Sequence, residues 1–147
     1  MAITDSTYDY YIGICLDHPK IRGRETIIEL VAIGAAESGL DNLAIGRNDL
    51  NGTPMSSKAY YSLGLGWLQH DSYWLQQDWL VNGVDWSIEE IRSNPVYSLD
   101  LLDRRPGMIL YQGVDRTYIN TDLWATWPRK SDPFMADAAA AYKRVTS

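Results

Sequence analysis

The chain holds one cysteine, one phenylalanine and two histidines in 147 residues, and these scarcities remove classes of explanation. A single cysteine, Cys15, cannot close an intramolecular disulfide, so the fold was not built around an oxidising compartment. Cys15 is expected to be a buried apolar filler, not a nucleophile. His18 and His70 fall into no metal spacing such as H-E-x-x-H or paired cysteines, so no metal and no cofactor is expected. A Ser-His-Asp hydrolase would need a G-x-S-x-G elbow, which is missing, and His70 is left as a groove-edge side chain. There is no phosphate loop and no dinucleotide fingerprint: Gly64 and Gly66 are close together, but no lysine follows them. Long apolar runs are also lacking, which excludes a membrane-spanning segment. The first fifteen residues have no basic start followed by an apolar stretch, so no signal peptide is expected.

Positive charge is short as well. Thirteen Lys and Arg stand against nineteen Asp and Glu, a net charge of −6 and a pI near 4.7. Nucleic-acid binding needs clustered basic side chains and is excluded as a function. Such a surface also has no general attraction to an anionic bacterial wall.

Aromatic rings with a polar edge are plentiful, with six Trp and ten Tyr. A pyranose offers an apolar C–H face and a polar rim, so this bias fits a groove that stacks on sugars, although core packing claims many rings too. Hydrophobic and charged fractions of 46% and 22% are ordinary for globular proteins. The length suits a single domain, 1–147, that buries its own core.

Apolar positions Ile27, Ile28, Val31, Ala32 and Ala35 recur at helical spacing, which predicts a helix over 22–37 ended by Ser38-Gly39. Residues 38–57 combine Asn, Asp, Gly and Pro54, the chemistry of a long irregular loop of the kind that carries function. A short helix is expected over 56–61 and an aromatic-rich one over 73–81, stopping near Asn82-Gly83. Ser87 three residues before Glu90 is a capping box. Pro95 opens a helix through Leu102. The stretch 108–127 fits helix and loop equally, and the tail 132–145, with its alanine run and basic end, is a helix. The fold class is therefore mainly α.

Glu37, in A-A-E-S-G, is the residue with the most chemical content. A carboxyl beside Ala35, Ala36 and an Ile/Val face, at the negative end of a helix dipole, is a candidate general acid. A glycosidase needs such a group to protonate the leaving oxygen as positive charge develops on the sugar.

The segment 64–71 reads G-L-G-W-L-Q-H-D. A helix ending in E-S-G, followed by G-x-G-x-x-Q-x-D, resembles the goose-type lysozyme and lytic transglycosylase group of the lysozyme-like superfamily. The resemblance implies a lysozyme-like single domain with a long active-site loop, acting on the MurNAc–GlcNAc β-1,4 bond of peptidoglycan. It makes Glu37 the acid/base, and Gly64, Gly66 and Gln69 the turn lining the sugar groove. Asp71, two residues past the Gln, and Asp49, in G-R-N-D, correspond to carboxylates that a hydrolase uses on water. Ser38, Tyr61, Ser62, Trp67, Tyr111 and Trp127 are the further substrate contacts expected.

The likeness covers about residues 25–75. Trp67-Leu68 replaces the usual Leu-Met, Leu63 stands where many transglycosylases keep Gly, and the A-Y-N motif is absent. W-A-T-W at 124–127 is similar to a tryptophan element of some phage lysozyme-like domains. The implied partner is the bacterial peptidoglycan glycan strand, met by a monomer or by one module of a larger lysin or virion protein. That protein would reside in the host cytoplasm before release, or in the virion. The alternative is a noncatalytic wall-binding or structural virion domain that kept the fold.

Overall fold

The computed structural model describes residues 2–47, 63–104 and 131–147, and these are mainly helical. Helix α1 (Asp5–Asp17) starts at Thr4, whose side-chain oxygen accepts the Thr7 N–H. It buries Tyr8, Tyr11, Ile12 and Cys15, an i, i+3, i+4, i+7 stripe that faces the core. Cys15 is fully buried, as expected of a filler, and burial pushes its thiol up.

Helix α2 (Arg24–Ser38) matches the predicted segment within two residues and is the central rod of the molecule, buried continuously from Ile27 to Ala35. Buried on every face over that run, Glu29 included, it must be enclosed by other elements on all sides. Here α1 and the last helix, α6 (Met135–Thr146), both pack on α2 and on each other. Pro133 lies in a short 3-10 turn, Asp132–Phe134, that leads into α6.

After α2 the chain enters a three-stranded antiparallel sheet of β1 (Ile45–Arg47), β2 (Leu63–Leu65) and β3 (His70–Asp71), in the order β1-β2-β3. Strand β1 lies inside the stretch expected to be irregular, and it corrects that expectation at 45–47. What makes it a strand is its pairing with β2, Ile45 opposite Leu65 and Gly46 opposite Gly64, a long-range partnership that local turn chemistry does not reveal.

Helix α3 (Ser72–Asn82) follows directly and ends at Gly83, which takes φ +67°. Helix α4 (Ile88–Ser93) is capped by the Ser87 hydroxyl accepting the Glu90 N–H, as the capping pattern predicts. Helix α5 (Pro95–Arg104) opens on its proline.

Two apolar clusters result. The larger unites α1, α2 and α6 with Leu99 and Leu102 of α5, and the smaller joins Leu65, Leu75, Ile91 and Leu101 around the sheet. The expected helix at 56–61 and the ambiguous stretch 108–127 lie outside the described residues.

Candidate functional site

The end of α2 is shaped by its stop signal. Gly39 takes the left-handed conformation (φ +70°), its N–H donates to Ala35 O at 2.9 Å, and the Leu40 N–H reaches Gly34 O at 3.3 Å. These bonds satisfy carbonyls that a helix end leaves open. Leu40 is left-handed as well, at φ +56°, which costs a non-glycine residue about 1–2 kcal/mol. Burial of its side chain to 4% exposure offsets that strain. Glu37, in the last helical turn, is partly exposed, unlike the buried run that precedes it.

Ser38 joins this helix end to the sheet. Its hydroxyl donates to Trp67 O at 2.8 Å, a closer acceptor than Gly34 O at 3.1 Å, and accepts the Asp41 N–H at 3.1 Å. Its one proton and one of its two lone pairs therefore serve the backbone around it, which leaves a single lone pair for the expected sugar contact through Ser38.

Trp67 carries the largest correction. It was expected against ligand, and it is fully buried. Its indole lies 4.6 Å from the Tyr11 ring, and its Nε1–H donates to Pro95 O at 2.9 Å. The slot for the ring exists because residue 34 is glycine: a Cβ there would come within 2.5 Å of the indole. A large ring gains more from a closed apolar slot with a partner for its N–H than from solvent, so the core wins it. One side chain in the hairpin turn thereby touches α1, α2 and the start of α5.

Two further ring or carboxylate positions sit inward. His70, expected at a groove edge, is fully buried, with Nε2–H donating to Ser98 O at 2.9 Å. Asp71, on β3 opposite Gly64, is 7% exposed. Glu37 is thus the more accessible of the two described carboxylates that the sequence singled out. Asp49, Tyr61, Ser62, Tyr111 and Trp127 lie outside the described residues.

The turn 66–69 between β2 and β3 needs left-handed backbone at both ends, Gly66 at φ +77° and Gln69 at φ +56°. Gly66 suits its place for a second reason, since a Cβ would press on Ile91 Cγ2 at 2.7 Å. Its N–H donates to Ala44 O at 3.0 Å. The Gln69 amide folds back, donating from Nε2 to Gly66 O at 2.9 Å and to Ala44 O at 3.4 Å.

The loop between α2 and β1 is tied down from three sides. Asn42 Nδ2 donates to Arg92 O at 3.0 Å, and Asp41 Oδ1 accepts the Leu43 N–H at 2.9 Å. The Tyr11 hydroxyl meets the Asn42 backbone, and burial together with Tyr10 and Asp41 pushes that phenol up to about 12.

Among the described residues no group of three or more His, Cys, Asp or Glu side chains is placed to hold a metal ion, and no helix is long and apolar enough to cross a membrane. No protein-family model, curated protein or solved structure matches this chain.

Sequence reasoning passed over Gly34, Tyr11 and Gly46. Gly34 carried a signal: a glycine inside an otherwise strong apolar helix costs about 1 kcal/mol against alanine and therefore has a packing reason. Tyr11 and Gly46 gave no such local sign, because their partners stand far away in the chain.

Proposed function

We propose that this chain is a peptidoglycan-cleaving glycosidase with a lysozyme-like fold, in which Glu37 is the general acid. The observation that carries the reading is the Ser38 Oγ–H to Trp67 O bond of 2.8 Å. Through it the helix end bearing Glu37 and the G-x-G-x-x-Q turn, the two motifs that together resemble goose-type lysozymes and lytic transglycosylases, form one rigid corner. A partly exposed carboxyl stands on that corner, and Ser38, Trp67 and Gln69 hold the backbone beneath it.

In the reaction Glu37 gives its proton to the glycosidic oxygen, which leaves with GlcNAc, as positive charge grows on the MurNAc ring whose C1–O bond is breaking. Two completions are open to the carboxylate that remains. With a second carboxylate about 6.5–9.5 Å away to activate water, the product is a reducing sugar; Asp71 and Asp49 are the candidates. Without one, Glu37 takes the proton of the muramic acid 6-hydroxyl, which closes an anhydro ring. No metal or cofactor enters either route. On this reading the protein acts at a bacterial wall, as a phage lysin or a virion module.

Digestion of purified peptidoglycan, followed by mass spectrometry of the released fragments, tests this. Wild type should release muropeptides and Glu37→Gln should release none. Reducing ends identify a muramidase, and anhydro ends, lighter by one water, identify a transglycosylase. Undiminished release by Glu37→Gln would overturn the assignment of the acid. Retention on peptidoglycan without release by wild type would make the chain a wall-binding domain instead.

A further inference from the structure

The Gln69 side chain rests on a place in the sheet that has no side chains of its own. Gly46 of β1 and Gly64 of β2 are directly opposed across the strand pair. A Cβ built on either would stand 2.3 Å from Gln69 Oε1. Neither glycine has the positive φ that marks Gly66 and Gly39, so backbone conformation does not require glycine at either position. What requires it is the amide lying on top.

That amide also bonds Gly66 O, within its own turn, and Ala44 O, in the loop that runs from Glu37 to β1. Both the turn and the loop reach the helix end, since Trp67 O and the Asp41 N–H meet at Ser38 Oγ. The amide therefore clamps together the two segments that flank Glu37.

We propose that Gly46 is a positioning residue of the site: with Gly64 it forms the seat of the Gln69 amide, and through that seat Gln69 holds the corner carrying Glu37 in place for glycan cleavage. This rests on the glycosidase reading above. Gln69 then acts on the acid's geometry and not as a ligand for sugar. A general acid has to stand within hydrogen-bond reach of the leaving oxygen, and a displacement of about 1 Å can cost on the order of 100-fold in rate.

Gly46→Ala is the decisive variant. Among the described residues its new methyl meets only the far end of a flexible side chain, so the protein folds while the amide is pushed off its seat. Cleavage of soluble, uncrosslinked glycan strands by wild type, Gly46→Ala, Gln69→Ala and the double variant should be compared, with thermal melting as a check on folding. The expected result is a kcat lowered by about 10- to 100-fold at unchanged KM in both single variants, with the double variant no slower than either. Wild-type kcat in Gly46→Ala, or losses that multiply in the double variant, would overturn the seat. A raised KM in Gln69→Ala with kcat intact would make Gln69 a direct sugar ligand and overturn its positioning role. If wild type itself cleaves nothing, the glycosidase reading falls and takes the proposal with it. Cleavage by wild type that Gly46→Ala leaves unchanged removes the proposal alone.

Discussion

Among the described residues, buried apolar side chains from α1, α2, α5 and α6 form one continuous cluster around α2, and around the three-stranded sheet Leu65, Leu75, Ile91 and Leu101 form a second. The helical body is held by area, and area is forgiving, because many contacts share the cost of losing one. The sheet lobe is held by single contacts: a hydroxyl on a carbonyl at Ser38, an amide on two carbonyls at Gln69, glycines where any side chain would collide. Small, individually specified contacts of this kind fix geometry more than they add stability. The difference assigns stability to one region and the shape of the candidate site to the other, with Trp67 and Leu68 of the turn buried in the helical cluster and joining the two.

Substitutions can break or sharpen this division. The largest effect is expected at the joint. Gly34→Ala should stabilise α2 by about 1 kcal/mol on helix propensity alone, but the methyl would meet the Trp67 ring, and overpacking of that kind costs about 1–3 kcal/mol. Denaturant unfolding should show net destabilisation, and a gain in stability would mean that Trp67 leaves its slot easily and that the two regions are only loosely joined. A smaller effect is confined to the lobe. Ser87→Ala removes the cap of α4 and should cost about 1 kcal/mol. Amide exchange should speed up in α4 and the sheet while α2 stays protected; equal loosening of both would show that the lobe and the body do not open separately.

A further effect is set by pH. The Tyr11 phenol is held up to about 12, above its ordinary value of 10.0, by burial first and by Tyr10 and Asp41 after it. An unfolded chain ionises this phenol near 10, while the folded chain keeps it neutral. The stability contributed below that point should therefore fall as pH rises from 10 towards 12. Unfolding curves across this window should show the decline, and Tyr11→Phe should flatten it.

Legibility in the sequence followed the same division. Periodicity located α2 within two residues, the capping box found α4, Pro95 marked the start of α5, and the alanine-rich tail gave α6. These are local signals, and the body is mostly local. α1 was readable in principle, yet its buried stripe uses two tyrosines, Tyr8 and Tyr11, which resemble surface or ligand-binding residues as readily as core. The lobe hid more. Strand β1 exists through partners sixteen to twenty positions ahead (63 − 47 = 16, 65 − 45 = 20), and Trp67 is core because Gly34 leaves it a slot. The same motif that located the candidate site misdirected the reading of its tryptophan: G-x-G-x-x-Q showed where the turn is, but not which of its side chains face inward.

The first and last helices lie side by side, and the Arg144 guanidinium grips the Asp9 carboxylate with Nη2 and Nε at 2.8 and 3.0 Å. This contact joins residues 135 positions apart, so a permuted chain linked across the Asp9–Arg144 side and reopened at exposed Gly83 is expected to keep the helix that carries Glu37.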